Sequence, residues 1–309
     1  MAILLDPAGY GHSPEAWLEA FQRELPGMDI RLWPDTPEPE DVEFVIAVRH
    51  DPALLASYPN LRAVLAMGAG VEQYTGRDMP EVPVVRLEEP SMSSEMAAYV
   101  SHWIVHFQKR MDVYLANQAE GTWQPEDYPT ADELPIGILG FGRIGKRIGE
   151  VLYDLGFPIN AWSRTGNFES WAKSYAGVEE LGNFLGASAA IVNVLPSTKA
   201  TYKVMNAERF AQCRAGALFI NLGRGATVDE AALLAALESG QIGNAVLDVT
   251  DPEPMEPGNP LWNHPNVRIT PHIAGFTVVG PASKVIAANV RRILADEEPY
   301  PLMERGRGY

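Results

Sequence analysis

Residues Ile136 to Arg164 read IGILGFGRIGKRIGEVLYDLGFPINAWSR, and the fold is decided here. An apolar run ends in Gly140-Phe141-Gly142-Arg143-Ile144-Gly145, a helical pattern continues to Leu155, and a second apolar run from Pro158 to Trp162 restores extended character. That order predicts a βαβ unit with a dinucleotide-binding turn. Gly140 allows the tight turn, Gly142 lets backbone N–H groups approach a pyrophosphate, and Gly145 lets the helix pack closely on the strand. The phosphates then sit on a helix N-terminus, whose unpaired N–H groups favour anions. A G-x-G-x-x-G motif alone is weak, since any loop that needs small residues satisfies it. Its place between a strand and a helix gives it weight.

The end of the second strand bears on which dinucleotide is bound. An NAD-binding unit carries an acidic residue there, about 20 residues beyond the glycines, for the ribose 2′-OH. This chain has Trp162-Ser163-Arg164-Thr165 and no carboxylate. A hydroxyl beside a guanidinium suits a 2′-phosphate, because the planar fork matches phosphate oxygens in geometry and charge. The expected cofactor is therefore NADP(H). The competing reading makes Arg164 a solvated loop arginine.

A chain of 309 residues can bury a large core and suggests two domains. Its 24 basic and 40 acidic side chains give a formal charge of −16, with no basic tract to mark a nucleic-acid surface. Anionic membranes are disfavoured for the same reason. An anionic substrate has to be held by local cations or oriented amides against this field. Cys213 is the single cysteine, so no intrachain disulfide and no cysteine-rich metal site can form, and a cytoplasmic location is expected. The Ala2–Leu5 run is broken by Asp6 and has no basic flank, so it reads as a first strand rather than a signal peptide. No apolar run approaches the length of a membrane span.

Ahead of the glycine motif, Ala2 to Leu5, Ile30 to Trp33, Phe44 to Val48 and Ala63 to Met67 read as strands, with Ala16 to Leu25 the clearest helix among them. Pro34–Pro39 and Pro80–Pro90 read as loops. One long helix is expected from Ser94 to Asn117, with Met96, Val100, Trp103, Ile104, Phe107, Met111 and Tyr114 on one stripe. His102 and His106 lie four apart on it, without the glutamate of a zinc-binding H-E-x-x-H, so packing is the expected role and no metal is expected. Beyond the motif, Ala189 to Leu195, Ala217 to Leu222 and Asn244 to Val249 extend the same sheet, and Val267 to Ile269 adds an edge strand. Asp229 to Ser239 and Pro281 to Ala295 read as helices, the last returning the chain to the first domain. Strands alternating with helices predict parallel sheets covered on both faces.

Ligands of such folds bind at the carboxyl ends of strands. Polar motifs recur there: Leu195-Pro196-Ser197-Thr198, Asn221-Leu222-Gly223-Arg224-Gly225, Asp248-Val249-Thr250-Asp251-Pro252-Glu253-Pro254 and Thr270-Pro271-His272-Ile273-Ala274-Gly275. One arginine, one glutamate and one histidine follow successive strands.

Taken with MGAGVE at Met67–Glu72 and the terminal RGY at Arg307–Tyr309, these motifs resemble those of the D-2-hydroxyacid dehydrogenases nearly end to end, and most closely the glyoxylate/hydroxypyruvate reductase branch. The resemblance implies an α/β protein of two domains. A Rossmann nucleotide-binding domain would span 97–280, and a smaller, flavodoxin-like substrate domain would combine 1–96 with 281–309. It implies NADPH-dependent reduction of a small 2-keto acid such as glyoxylate or hydroxypyruvate. Arg224 would bind the substrate carboxylate and carbonyl, His272 would donate the proton, and Glu253 would orient and charge-stabilise His272. Such roles suit the chemistry, since a fixed cation and a positioned acid stabilise the charge that develops on the carbonyl oxygen. Backbone amides at Ala69 and Gly70 would hold the carboxylate. Beyond the glycine turn, Ser163 and Arg164, the cofactor would meet Leu195, Pro196, Thr201, Leu222, Gly223 and Ala274, with Asp248 at the nicotinamide amide. Relatives are dimers through the nucleotide domain, and the aromatic stripe around Trp103 and Trp123 fits a homodimer.

Two departures stand out. Thr250 replaces the phenylalanine frequent after LDV. Arg49-His50-Asp51-Pro52 stands where the nearest branch has tryptophan and His-Pro-Pro, which makes Arg49 a candidate substrate-binding residue favouring hydroxypyruvate or a larger polar keto acid over glyoxylate. Its alternative is a surface arginine paired with Asp51. Two other functions fit the same motifs: a dehydrogenase for a bulkier keto acid, and a non-catalytic NADP(H)-sensing protein.

Overall fold

The computed structural model describes residues 1–7, 13–74, 79–166 and 169–304, so the terminal Arg307–Tyr309 motif lies outside the described residues. The chain forms two compact units, 1–92 with 277–309, and 93–276. The sequence reading set these limits at 96 and 280.

In the first unit, β1 (Ala2–Asp6) is buried along its whole length. The apolar run Ala2–Leu5 within it is what a parallel strand covered on both faces requires, and Asp6 is the one charged residue of the strand. α1 (Pro14–Glu24) follows, started by Ser13, whose hydroxyl accepts from the Ala16 N–H, and by Pro14 in its first turn. Trp17, Ala20 and Phe21 form its buried face. β2 (Asp29–Leu32), β3 (Val42–Ala47), the single turn α2 (Pro52–Leu55), β4 (Ala63–Ala66) and β5 (Val84–Val85) complete a five-stranded parallel sheet of order β2-β1-β3-β4-β5. That is the flavodoxin-like order, and it reverses between β1 and β3. β5 falls in a segment expected to be loop. Pro83 precedes its two residues, and long-range pairing holds them: Val64 N–H donates to the Pro83 carbonyl, and Arg86 N–H to that of Pro301.

The expected long helix is two helices. α3 (Pro90–Gln108) ends where buried Gln108 turns its amide to the Pro129 carbonyl, and α4 (Met111–Glu120) restarts after Arg110, which sits at φ 56°. α4 buries none of its residues, so no core contact keeps it in register with α3. The apolar period seemed continuous because one left-handed residue leaves no mark on it. On α3, His102 and His106 pack their rings against Trp103, at centroid distances of 4.9 and 5.5 Å.

The second unit continues with β6 (Ile136–Leu139), α5 (Arg143–Asp154), β7 (Ile159–Ser163), β8 (Ala172–Ala176), α6 (Leu181–Gly186), β9 (Ala190–Asn193), α7 (Ala207–Ala211), β10 (Ala217–Asn221), α8 (Glu230–Glu238), β11 (Ile242–Leu247) and β12 (Val267–Ile269). The seven strands are parallel, in the order β12-β11-β10-β9-β6-β7-β8. This is the doubly wound Rossmann order with one strand added, and it reverses between β6 and β9. Edge strand β8 escaped the sequence reading because only Ala172 and Tyr175 of its five residues are buried. Finally, α9 (Val279–Leu294) belongs to the first unit, where it packs on α1.

The break at Arg110 makes a prediction opposite to that of a continuous helix. Arg110→Gly keeps or raises stability and Arg110→Val lowers it by about 1 kcal/mol or more, because a left-handed residue suits glycine and penalises β-branching. In an unbroken helix glycine is instead the worse substitution, by about 1 kcal/mol relative to a good helix former. Denaturant unfolding of the two variants distinguishes these cases.

Candidate active site

The order reversal of the second sheet carries the glycine turn. Gly140 has φ 109°, and the N–H groups of Gly140 and Phe141 donate to the Trp162 carbonyl at 3.1 and 2.9 Å, tying the turn to β7. A Cβ on Gly145 would lie 2.2 Å from the Gly140 carbonyl oxygen, so packing within the chain requires glycine there. Gly142 differs: a Cβ would meet no atom within 4 Å. Its missing side chain serves no internal contact and leaves open the approach to the first N–H groups of α5, at Arg143 and Ile144, as an anionic pyrophosphate needs. At the end of β7 the Ser163 hydroxyl accepts from Gly166 N–H at 3.0 Å. Arg164 is exposed, and its side chain has no partner among the described residues. These residues fit a dinucleotide carrying a ribose phosphate.

Three buried polar side chains, which the sequence reading missed as site residues, organise the next two strand ends. Asn193 closes β9 and donates from Nδ2 to Asn221 Oδ1 at 3.0 Å and to Thr227 Oγ1 at 2.7 Å. Its Oδ1 accepts from Leu195 N–H, and Asn221 Oδ1 accepts from Gly223 N–H. Leu195-Pro196 and Leu222-Gly223 are thus held by one network. Thr201 donates its hydroxyl to the Pro196 carbonyl at 2.6 Å and accepts from Thr198 N–H, so it shapes the turn. Arg224 follows with extended backbone, its Nη1 donating to the Gly223 carbonyl at 2.7 Å. The next residue, Gly225, abuts the 250s loop: a Cβ would come within 2.0 Å of the Thr250 carbonyl. That contact brings the arginine loop against the loop bearing Glu253.

Asp248, after β11, is 2% exposed. One of its oxygens accepts from the Thr270 hydroxyl at 2.6 Å and from Ile273 N–H, the other from Ala274 N–H at 2.8 Å. Its carbonyl accepts from His272 N–H. The Thr270 proton is committed to Asp248, so the 2.6 Å contact between Thr270 and Tyr99 has the Tyr99 hydroxyl as donor. Burial, opposed by the Thr270 hydrogen bond and aided by the charge of Asp248, raises the Tyr99 hydroxyl above its ordinary pKa, which keeps that donor protonated. Tyr99 was also missed. Nothing local on α3 marks it, since its partner lies beyond a whole sheet in sequence.

His272 sits at φ 56° in the loop so anchored. Its Nδ1 lies 3.0 Å from Glu253 Oε2, while Glu253 Oε1 accepts from Thr250 N–H at 3.2 Å. Partial burial pushes the Glu253 carboxyl up, but the His272 hydrogen bond and charge, the Thr250 amide and the Arg224 charge together outweigh it and hold the group below its ordinary 4.5. The pair is half-open, with His272 47% and Glu253 29% exposed at the side chain. An imidazole gripped at Nδ1 leaves Nε2 to donate to or accept from a ligand.

In the first unit, β4 leads into Gly68-Ala69-Gly70-Val71. The N–H groups of Ala69, Gly70 and Val71 have no acceptor among the described residues, as an anion-binding loop requires. Arg49 lies just past β3 and is exposed.

Residues 102–274 match the family model described as D-isomer specific 2-hydroxyacid dehydrogenase, NAD binding domain. The chain is 37% identical over 300 residues to a glyoxylate/hydroxypyruvate reductase A of Yersinia enterocolitica, covering 95% of this chain and 96% of that one. The chain belongs to the D-isomer specific 2-hydroxyacid dehydrogenases. Among solved structures of this family, a Xanthobacter autotrophicus Py2 member in complex with NADPH and MES superposes with a TM-score of 0.93 at 37% identity, covering 100% of this chain and 99% of that one. An NADPH-dependent glyoxylate/hydroxypyruvate reductase from Sinorhizobium meliloti, in complex with NADP and sulfate, gives 0.92 at 27% identity with both chains fully covered.

The depressed Glu253 carboxyl sets a pH window for this dehydrogenase site. A carboxylate whose pKa falls on folding contributes stability that is present above its unfolded value and is lost as pH falls through the folded one. Unfolding free energies of the parent and Glu253→Gln should therefore differ near neutrality and converge as the pH drops from about 5 to about 3. A difference that stays constant across this range contradicts the pairing.

Proposed function

We propose that this protein reduces small 2-keto acids, glyoxylate and hydroxypyruvate among them, to D-2-hydroxy acids with NADPH. The observation that carries the reading is the Glu253–His272 pair at 3.0 Å, on a loop packed against the one that bears Arg224. The names of the relatives support the substrate class and the cofactor.

When bound, NADPH supplies the hydride and its two electrons. Arg224 holds the substrate carboxylate and polarises the ketone, so the charge gathering on the carbonyl oxygen meets a fixed cation. His272 delivers a proton to that oxygen from Nε2, and Glu253 fixes the ring and stabilises its charged form. Amides at Ala69 and Gly70, with Arg49, complete the substrate-binding set. For the cofactor, Gly140, Gly142, Arg143, Ile144 and Gly145 take the pyrophosphate, and Ser163 and Arg164 the 2′-phosphate. Leu195, Pro196, Thr201, Leu222, Gly223 and Ala274 form the wall, while Asp248 fixes the wall at the nicotinamide end.

The reading includes a cytoplasmic homodimer. The single buried cysteine suits a reducing compartment. Apolar exposure supports self-association: Met111 and Leu115 on α4 are 42% and 59% exposed, and Trp123 is fully exposed. Trp103, placed by the sequence reading in the same stripe, is instead half-buried among Tyr99, His106 and Phe107.

NADPH oxidation with glyoxylate and hydroxypyruvate tests the activity, and absence of turnover refutes it. His272→Ala should lower kcat by roughly 10²–10⁴-fold, the usual cost of a lost general acid. Arg164→Ala should raise KM for NADPH by about tenfold while leaving that for NADH nearly unchanged, because only the phosphate loses a partner. An equal rise for both cofactors removes Arg164 from the 2′-phosphate site.

A further inference from the structure

The order reversal of the first sheet, between β1 and β3, is unusually furnished. Past the end of β3, Val48 N–H donates to the Asp6 carbonyl at 3.1 Å, and the Val48 carbonyl accepts from Gln73 Nε2 at 2.7 Å. Two residues on, His50 is 3% exposed, its Nδ1 lies 2.9 Å from Oδ2 of buried Asp6, and its N–H donates to the Tyr74 hydroxyl at 3.4 Å. The His50 ring also packs edge-on against Trp33, at a centroid distance of 4.9 Å.

Burying an imidazole and a carboxylate has a desolvation cost. Here that cost fixes His50, on one side of a single exposed side chain, Arg49, while the Asp6 carbonyl and Gln73 hold Val48 on the other. The Arg49 guanidinium has no partner among the described residues. Asp51, the nearest carboxylate in sequence, instead caps α2 by accepting from Ala53 N–H at 2.9 Å. A surface arginine needs no such anchoring, because a solvated ion pair contributes little whatever its backbone does. Alongside, Met67 N–H donates to the Ala47 carbonyl at 3.0 Å, so β4 leaves the sheet beside β3 and brings the acceptor-free amides of Ala69, Gly70 and Val71 to the same edge. One edge thus offers two separate anion receptors, a set of backbone amides and a planar fork, in a protein whose net charge is −16.

We propose that Arg49 receives a second anionic group of the substrate, so that the preferred substrates are 2-ketodicarboxylates rather than glyoxylate. The proposal rests on the keto-acid reductase reading above and narrows its substrate class. Val48, His50, Asp6, Gln73 and Tyr74 position the segment that carries Arg49.

The test compares kcat/KM for glyoxylate, hydroxypyruvate, oxaloacetate and 2-ketoglutarate, with NADPH, in the full-length parent, Arg49→Met and Arg49→Lys. At least one dicarboxylate should exceed glyoxylate by about tenfold or more in the parent, and Arg49→Met should lower the dicarboxylates by about 30-fold, a loss about tenfold larger than the one it causes with glyoxylate. Arg49→Lys should retain part of the preference. Tyr74→Phe, which keeps the ring but removes the acceptor for His50 N–H, should raise KM for the dicarboxylates alone, whereas a purely structural role would affect all four substrates alike. Uniform losses in Arg49→Met, or a parent that favours hydroxypyruvate over both dicarboxylates, overturn the proposal. Calorimetric titration with malonate and acetate separates it from the activity itself. Malonate binding that disappears in Arg49→Met upholds the second receptor even if no keto acid turns over. Malonate and acetate binding alike in parent and variant refutes it even if glyoxylate is reduced.

Discussion

Asn193 and Asn221 end adjacent parallel strands with buried side chains joined by a 3.0 Å hydrogen bond, and the arrangement of the second unit's loops depends on that contact. Buried amides are costly unless every donor and acceptor is used. Both satisfy the condition by reaching forward into the loops that follow: Asn193 to Leu195 and Thr227, Asn221 to Gly223 and the Arg224 carbonyl. The energy that keeps these amides buried therefore also fixes where Arg224 leaves the sheet. Asp248 repeats the device one strand further on, with Ile273 and Ala274 as its clients.

Much of this architecture is legible in the sequence. The glycine turn is legible because each glycine answers a local constraint, and the strands other than β5 and β8 are legible as apolar runs. The His272, Glu253 and Arg224 motifs can be located because each follows such a run. Tyr99, Asn193, Thr227 and the break at Arg110 could not be read this way. Tyr99 reaches Thr270 across 171 positions of sequence, and a single left-handed residue disturbs no apolar period. A visible clue to Asn193 existed: an amide inside an otherwise apolar run is a polar group that burial must satisfy.

Charge follows the same division between global and local. With a formal net charge of −16, the mean field opposes an anionic keto acid and a phosphorylated cofactor alike. Guanidinium groups and oriented amides at strand ends act over a few ångströms, where screening by salt is weakest. Arg164, Arg224 and Arg49 each occupy such a position, and each is followed or flanked by backbone held in place by neighbouring hydrogen bonds.

The return of α9 to the first unit means that the Rossmann unit is an insertion within another domain's chain. During synthesis, Met1–Met92 emerge first, yet α1 lacks the helix it packs against until Val279–Leu294 have left the ribosome. Domains generally fold as units and in the order they emerge. Here the order is inverted: the inserted unit can close while the earlier segment waits with Trp17 and Phe21, the buried face of α1, still seeking cover. Such a wait exposes apolar surface to chaperones, and it makes the last helix the step that completes the first domain.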